Sequence, residues 1–177
     1  MIAKIIANIL FIIMLAIAQI SFISGLPGVF ADLNLVLVIL IFILGFTSFN
    51  FAAWWSLGIG FMLEVFFFLP FGAYLVSLSL TIIIANFLLN YFFTNRSLYS
   101  FMALVALSTI FYELIINSIS LIFFENNKYF FLVDAHFWIL TLKQIGLNLL
   151  FTVFIYYILH TFGRNLRPVF LIRNKKY

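Results

Sequence analysis

The stretch Gly60-Phe-Met-Leu-Glu-Val-Phe-Phe-Phe-Leu-Pro-Phe-Gly-Ala-Tyr74 (GFMLEVFFFLPFGAY) holds one carboxylate, Glu64, in an otherwise apolar run broken only by Pro70 and Gly72. Nothing in it alternates at period two, so the flanks read as helices and not as strands. Proline cannot continue a helix, and glycine reaches backbone conformations closed to other residues, so the run is a helix end, a tight turn and a second helix start. An acid at such a helix end either accepts backbone N–H groups of the turn or faces a partner.

The same pattern extends over the 177 residues. Apolar segments of about 20 residues are long enough to cross a bilayer as helices. Spans are expected near 2–24, 33–48, 51–69, 73–93, 98–124 and 136–162, separated by SGLPG, TSFN, the Pro70–Gly72 turn, TNRS and ENNKYFFLVDAH. The second is the shortest. Composition requires the same setting: the chain is 67% hydrophobic and 8% charged, with a mean hydropathy of +1.27. A water-soluble domain of this size has too much surface and here too few charges to cover it. The expectation is an all-α integral membrane protein, with a six-helix transmembrane domain over 1–162 and a basic tail over 163–177.

Lys4, Arg96, Arg164, Arg167, Arg173, Lys175 and Lys176 fall on one side of that layout, and Asp32, Glu125, Lys128 and Asp134 on the other. Positive residues in short loops are retained in the cytoplasm, so both termini are expected there. Lys4 before an apolar run, with Val29-Phe30-Ala31 further on, imitates a signal peptide, but the run is too long and is read as an uncleaved first span. The basic tail suits anionic headgroups, and nothing else suggests nucleic acid.

Without cysteine, the chain has no disulfide, thiolate metal site or cysteine nucleophile. It has no HExxH, phosphate-binding glycine loop or nucleophile elbow, so no enzymatic activity, cofactor or metal is expected. Glu125, Asp134 and His136 form a weak cation candidate in the outer loop.

Polar residues inside the spans fall at helical spacing. Ala52, Ser56, Gly60 and Glu64 form a stripe of small residues ending in the acid, and Ala73, Ser77, Thr81 and Ala85 form another. Such stripes let helix backbones approach closely in lipid. A third stripe is expected at Ala103, Ala106, Ile110, Glu113 and Asn117. Glu113 and Lys143 lie at comparable depths and can form a buried ion pair, or else a site for substrate, proton or partner. Asn86 with Asn90 and Gln144 with Asn148 are candidates for hydrogen bonds between helices. His136 and His160 lie near opposite surfaces, too far apart to share a metal. Trp54, Trp55 and Trp138 read as anchors at the membrane surfaces.

Taken together, the segment from Phe30 to Tyr74 resembles the bacterial rod-shape-determining MreD family. The resemblance is carried by Ala31-Asp32-Leu-Asn-Leu-Val-Leu-Val38, by Gly58-Ile-Gly-Phe-Met-Leu-Glu64 and by Leu69-Pro-Phe-Gly72. Here Ala31 stands where the family has proline, and Glu64 where it has aspartate. The resemblance implies a non-catalytic subunit of the cell-elongation machinery in the bacterial cytoplasmic membrane. It implies MreC as membrane partner, MreB filaments and other elongation proteins nearby, and a role in peptidoglycan synthesis and cell shape. Asp32, Glu64 and Gly72 are the residues it nominates as shape-defining.

A rival reading is the substrate-binding subunit of an energy-coupling-factor vitamin transporter, a family of similar length and six helices. There Glu113, Asn117, Lys143 and Gln144 would line a ligand pocket, and Ala3 and Ala7 would dock a coupling partner. The short Gly25–Asp32 segment speaks against a pocket closed by a large loop.

Overall fold

The computed structural model describes residues 2–23, 25–67, 69–93, 97–123 and 135–164. Six α-helices occur among them: α1 (Ile2–Ile17), α2 (Leu35–Phe46), α3 (Phe49–Phe66), α4 (Ala73–Tyr91), α5 (Leu98–Phe123) and α6 (Ala135–Arg164). A π-helical segment, Ala18–Ile23, prolongs α1, and a 3-10 turn, Gly28–Asp32, leads towards α2. Five helices, counting α1 with its π-helical continuation, are long and apolar enough to cross a membrane.

The exception is α2. Its 12 residues rise roughly 18 Å, against about 30 Å of hydrocarbon. Where the sequence suggests six comparable spans, the structure has five long helices around a short one. The physical reason lies in burial on every side: Val36, Leu37, Val38, Leu40 and Ile41 have no exposed surface. A helix apolar all round is a core element, and α2 touches α3, α4, α5 and α6. Its N-terminus is capped by Asn34, whose Oδ1 accepts the Leu37 N–H at 3.0 Å.

Small residues set the α3–α4 contact. Ala52, Ser56, Gly60 and Glu64 of α3 are all buried, as are Ala73, Ser77, Thr81 and Ala85 of α4. A Cβ added to Gly60 would lie 2.7 Å from the Leu75 Cα, so only glycine permits this approach. At the other end of the bundle, Gly45 lies under the Phe101 ring, which stacks on Phe42 and Phe46 with centroids 4.8 and 5.5 Å away.

Helix α5 departs from expectation. Ala103, Ala106, Ile110, Glu113 and Asn117 are only half-buried, and the packed face is instead Phe101, Leu104, Val105, Ser108, Thr109, Tyr112 and Ile116. Wedged between α4 and α6, α5 turns its large side chains into the core, which small residues cannot fill. The outer surface of the bundle is apolar: Ile5, Ile9, Phe11, Phe61, Val65, Ile83, Phe87, Leu142, Leu150 and Phe154 are all exposed there, as a lipid-facing surface requires.

Candidate functional site

The turn between α3 and α4 begins at Pro70 and closes with Gly72 at φ 99° and ψ −15°, a left-handed conformation that L side chains rarely adopt. The Ala73 N–H bonds the Pro70 carbonyl at 3.0 Å, and the Val76 N–H bonds the Gly72 carbonyl at 2.9 Å. Gly72 is the N-cap of α4 and has no side chain to offer. The capping oxygen comes from the preceding helix. Glu64 Oε1 accepts the Leu75 N–H at 3.0 Å, across 11 residues of chain. The acid meets one of the unpaired donors at the helix start, and its charge suits the positive end of the helix dipole. Glu64 is 8% exposed, and its other oxygen, Oε2, is buried without a hydrogen-bond partner among the described residues.

Beside this turn lies a cavity of about 330 Å³, lined by Asp32, Asn34, Tyr74, Tyr112, Glu113 and Gln144 among others. Its walls come from the start of the π-helical segment, the end of the 3-10 turn, the start of α2, the end of α3, the start of α4, the second half of α5 and the first third of α6. In an antiparallel bundle these all lie at one end.

A chain of hydrogen bonds builds the cavity's inner side. Gln19 projects from the π-helical segment, where its Nε2 donates to the Leu33 carbonyl at 3.0 Å and its Oε1 accepts the Val36 N–H at 3.4 Å. The Asn34 N–H donates to Asn148 Oδ1 at 2.9 Å. Asn148 Nδ2 donates to Thr109 Oγ1 at 2.9 Å, and that hydroxyl donates to the Val105 carbonyl. Asn34 also hydrogen-bonds the Tyr112 hydroxyl. The network supplies partners to backbone groups around α2, whose start lies too deep to be left to water.

No protein-family model, curated protein or solved structure matches this chain.

The Glu113–Lys143 ion pair is not formed. Lys143 is exposed on the outer side of α6, while the Glu113 carboxylate takes Asn117 Nδ2 at 3.2 Å and the amide of Gln144. Residues 143 and 144 are adjacent and so stand about 100° apart around the helix. The one turned to α5 is the amide, and Lys143 does not line the cavity. Asn117 Nδ2 also bonds the Glu113 carbonyl at 2.8 Å.

The remaining candidates separate. Asp32 ends the 3-10 turn, half-buried on the cavity wall, and does not itself open α2. Asn90 Nδ2 bonds Asn86 Oδ1 at 3.3 Å within α4, so this pair does not join helices, whereas Gln144 and Asn148 do. Trp54 is 73% exposed, as an anchor would be, but Trp55 is 9% exposed and belongs to the core with Phe51. Trp138 and His136 lie on the exposed start of α6. Glu125, Lys128, Asp134, Arg96 and the tail from 165 lie outside the described residues, as do the side chains of Lys4, His160 and Arg164.

Reasoning from sequence passed over Gln19, Asn34, Tyr74, Thr109 and Tyr112. Gln19 and Asn34 carried a readable signal: an amide inside a first span, and an Asn directly before a long apolar run, where a helix cap belongs. The tyrosine and threonine signals were lost among many similar residues.

Proposed function

We propose that this chain is a non-catalytic membrane scaffold subunit of the MreD type, a six-helix bundle in the bacterial cytoplasmic membrane with both termini in the cytoplasm. On this reading it binds MreC, works alongside MreB filaments and other elongation proteins, and supports peptidoglycan synthesis and cell shape. The observation that supports the reading is the Glu64–Leu75 hydrogen bond across the Gly72 turn. An acid that fixes how one helix leaves another does the work of a shape-defining residue. Asp32 belongs to the same end of the bundle. The test is co-purification with MreC from native membranes. The Glu64→Leu variant is expected to insert at normal yield but to retain much less MreC; undiminished recovery would count against the scaffold reading.

One observation favours a second reading. Glu113, Asn117 and Gln144 do line a cavity, as the substrate-binding subunit of an energy-coupling-factor transporter would require. The same pull-down separates the two, because a stoichiometric vitamin recovered with an ATPase-linked partner would replace the scaffold by a transporter subunit.

A further inference from the structure

We propose that the cavity at this end of the bundle binds a primary ammonium group carried on a small apolar body. Among the described residues, the lining holds two carboxylates, Asp32 and Glu113, together with amides and hydroxyls, and no lysine, arginine or histidine. Lys143, the candidate basic partner of Glu113, is exposed on the outer side of α6. A carboxylate in a membrane span without a basic partner is costly, so such groups commonly mark a ligand site. Beside Glu113, Gln144 Oε1 is buried and has no hydrogen-bond partner among the described residues, leaving an acceptor unused.

Some of the other polar groups are already engaged. Donor capacity in the amides of Gln19, Asn34 and Asn117 already goes to Leu33, Tyr112 and Glu113. A ligand with several N–H donors and a positive charge complements what remains, and an ammonium provides three. Phe67, Tyr74 and Tyr112 add aromatic surface to the same wall, which favours a cation and accommodates an apolar body.

The cavity is larger than a bare ion needs. About 330 Å³ holds roughly eleven waters at their liquid volume and falls at the lower end of small-molecule pockets. Nor is there a group of three or more acidic or histidine ligands for a metal among the described residues. Two sources share the required chemistry: a free aliphatic or aromatic amine, and the headgroup of an aminophospholipid. The inference stands whether or not a protein partner binds elsewhere on the bundle.

The test uses the full chain in nanodiscs of phosphatidylglycerol, with phenethylamine and its uncharged analogue 2-phenylethanol as probes, followed by equilibrium binding. Phenethylamine is expected to bind saturably, and 2-phenylethanol about ten-fold more weakly or less, as expected when a charge-assisted hydrogen bond is lost. Glu113→Gln is expected to weaken the amine about ten-fold while leaving the alcohol unchanged, and Lys143→Gln to leave both unchanged. If Glu113→Gln does not yield folded protein, Gln144→Leu serves, since it removes the unused acceptor and leaves the carboxylate. In a second arm, phosphatidylethanolamine replaces half the lipid. Loss of phenethylamine binding there identifies the headgroup as the ligand, and retained binding identifies a free amine. Equal binding of amine and alcohol, or no saturable amine binding and no enrichment of phosphatidylethanolamine by the protein, would overturn the proposal.

Discussion

Glu64 owes its importance to a glycine eight residues later. Because Gly72 must be left-handed to turn the chain, the α4 N-cap has no side chain, and a donor at the third position of the helix would otherwise stay unpaired in lipid. The carboxylate answers that need from α3. Replacing it by leucine leaves the Leu75 N–H without an acceptor and is expected to destabilise the bundle by about 1–3 kcal/mol. Glu64→Gln keeps an oxygen in place and should cost less. Thermal unfolding in detergent ranks the three proteins, and equal losses for both variants would refute the capping role. Gly72→Ala is expected to cost about 1–3 kcal/mol through backbone strain alone, since nothing crowds a Cβ there. The turn and its acid were legible in the sequence because proline, glycine and a lone carboxylate all stand out in an apolar run. The pairing of Glu113 was not, because depth along a helix says nothing about azimuth, and one residue separates Lys143 from Gln144.

At the level of elements, close approach is carried by two glycines with opposite tolerances. A Cβ on Gly60 would lie 2.7 Å from the Leu75 Cα, and backbone cannot turn aside. Gly60→Ala should therefore push α3 and α4 apart and cost about 1–3 kcal/mol. A Cβ on Gly45 would meet only the tip of the Phe101 ring, at 2.5 Å. Gly45→Ala is expected to be destabilising alone but substantially rescued by Phe101→Leu, so a double-mutant cycle should return a clearly favourable coupling. Additive losses would mean that the ring is not what limits the site. The α3 and α4 stripes of small residues could be read from their spacing of four. The same reasoning chose the wrong face of α5, because α5 lies between two neighbours and packs large residues as well as small ones.

Across the whole molecule, the short helix α2 is the organising feature. Its polar start lies inside the bundle and is held there by Asn148, Gln19 and Asn34 from three segments of chain. Asn148→Leu removes the acceptor of the Asn34 N–H and the amide that donates to the Thr109 hydroxyl. It is expected to lower stability by about 1–2 kcal/mol, in keeping with hydrogen bonds between membrane helices. Because the native chain has no cysteine, single cysteines report cleanly on position: one at Leu37, fully buried in the first turn of α2, should resist membrane-impermeant thiol reagents, and one at Phe71 should react. Labelling at both sites would show that α2 starts in water. The sequence by itself determined the membrane setting, the all-helical class and most helix limits, because hydropathy and turn residues act locally along the chain. Only the tertiary structure decided that α2 is a buried core helix, that Glu113 is met by amides and not by Lys143, and that Asp32, Tyr74, Tyr112 and Gln144 share a cavity. Those outcomes depend on how helices rotate and cross, which neighbouring surfaces select jointly and no single segment encodes.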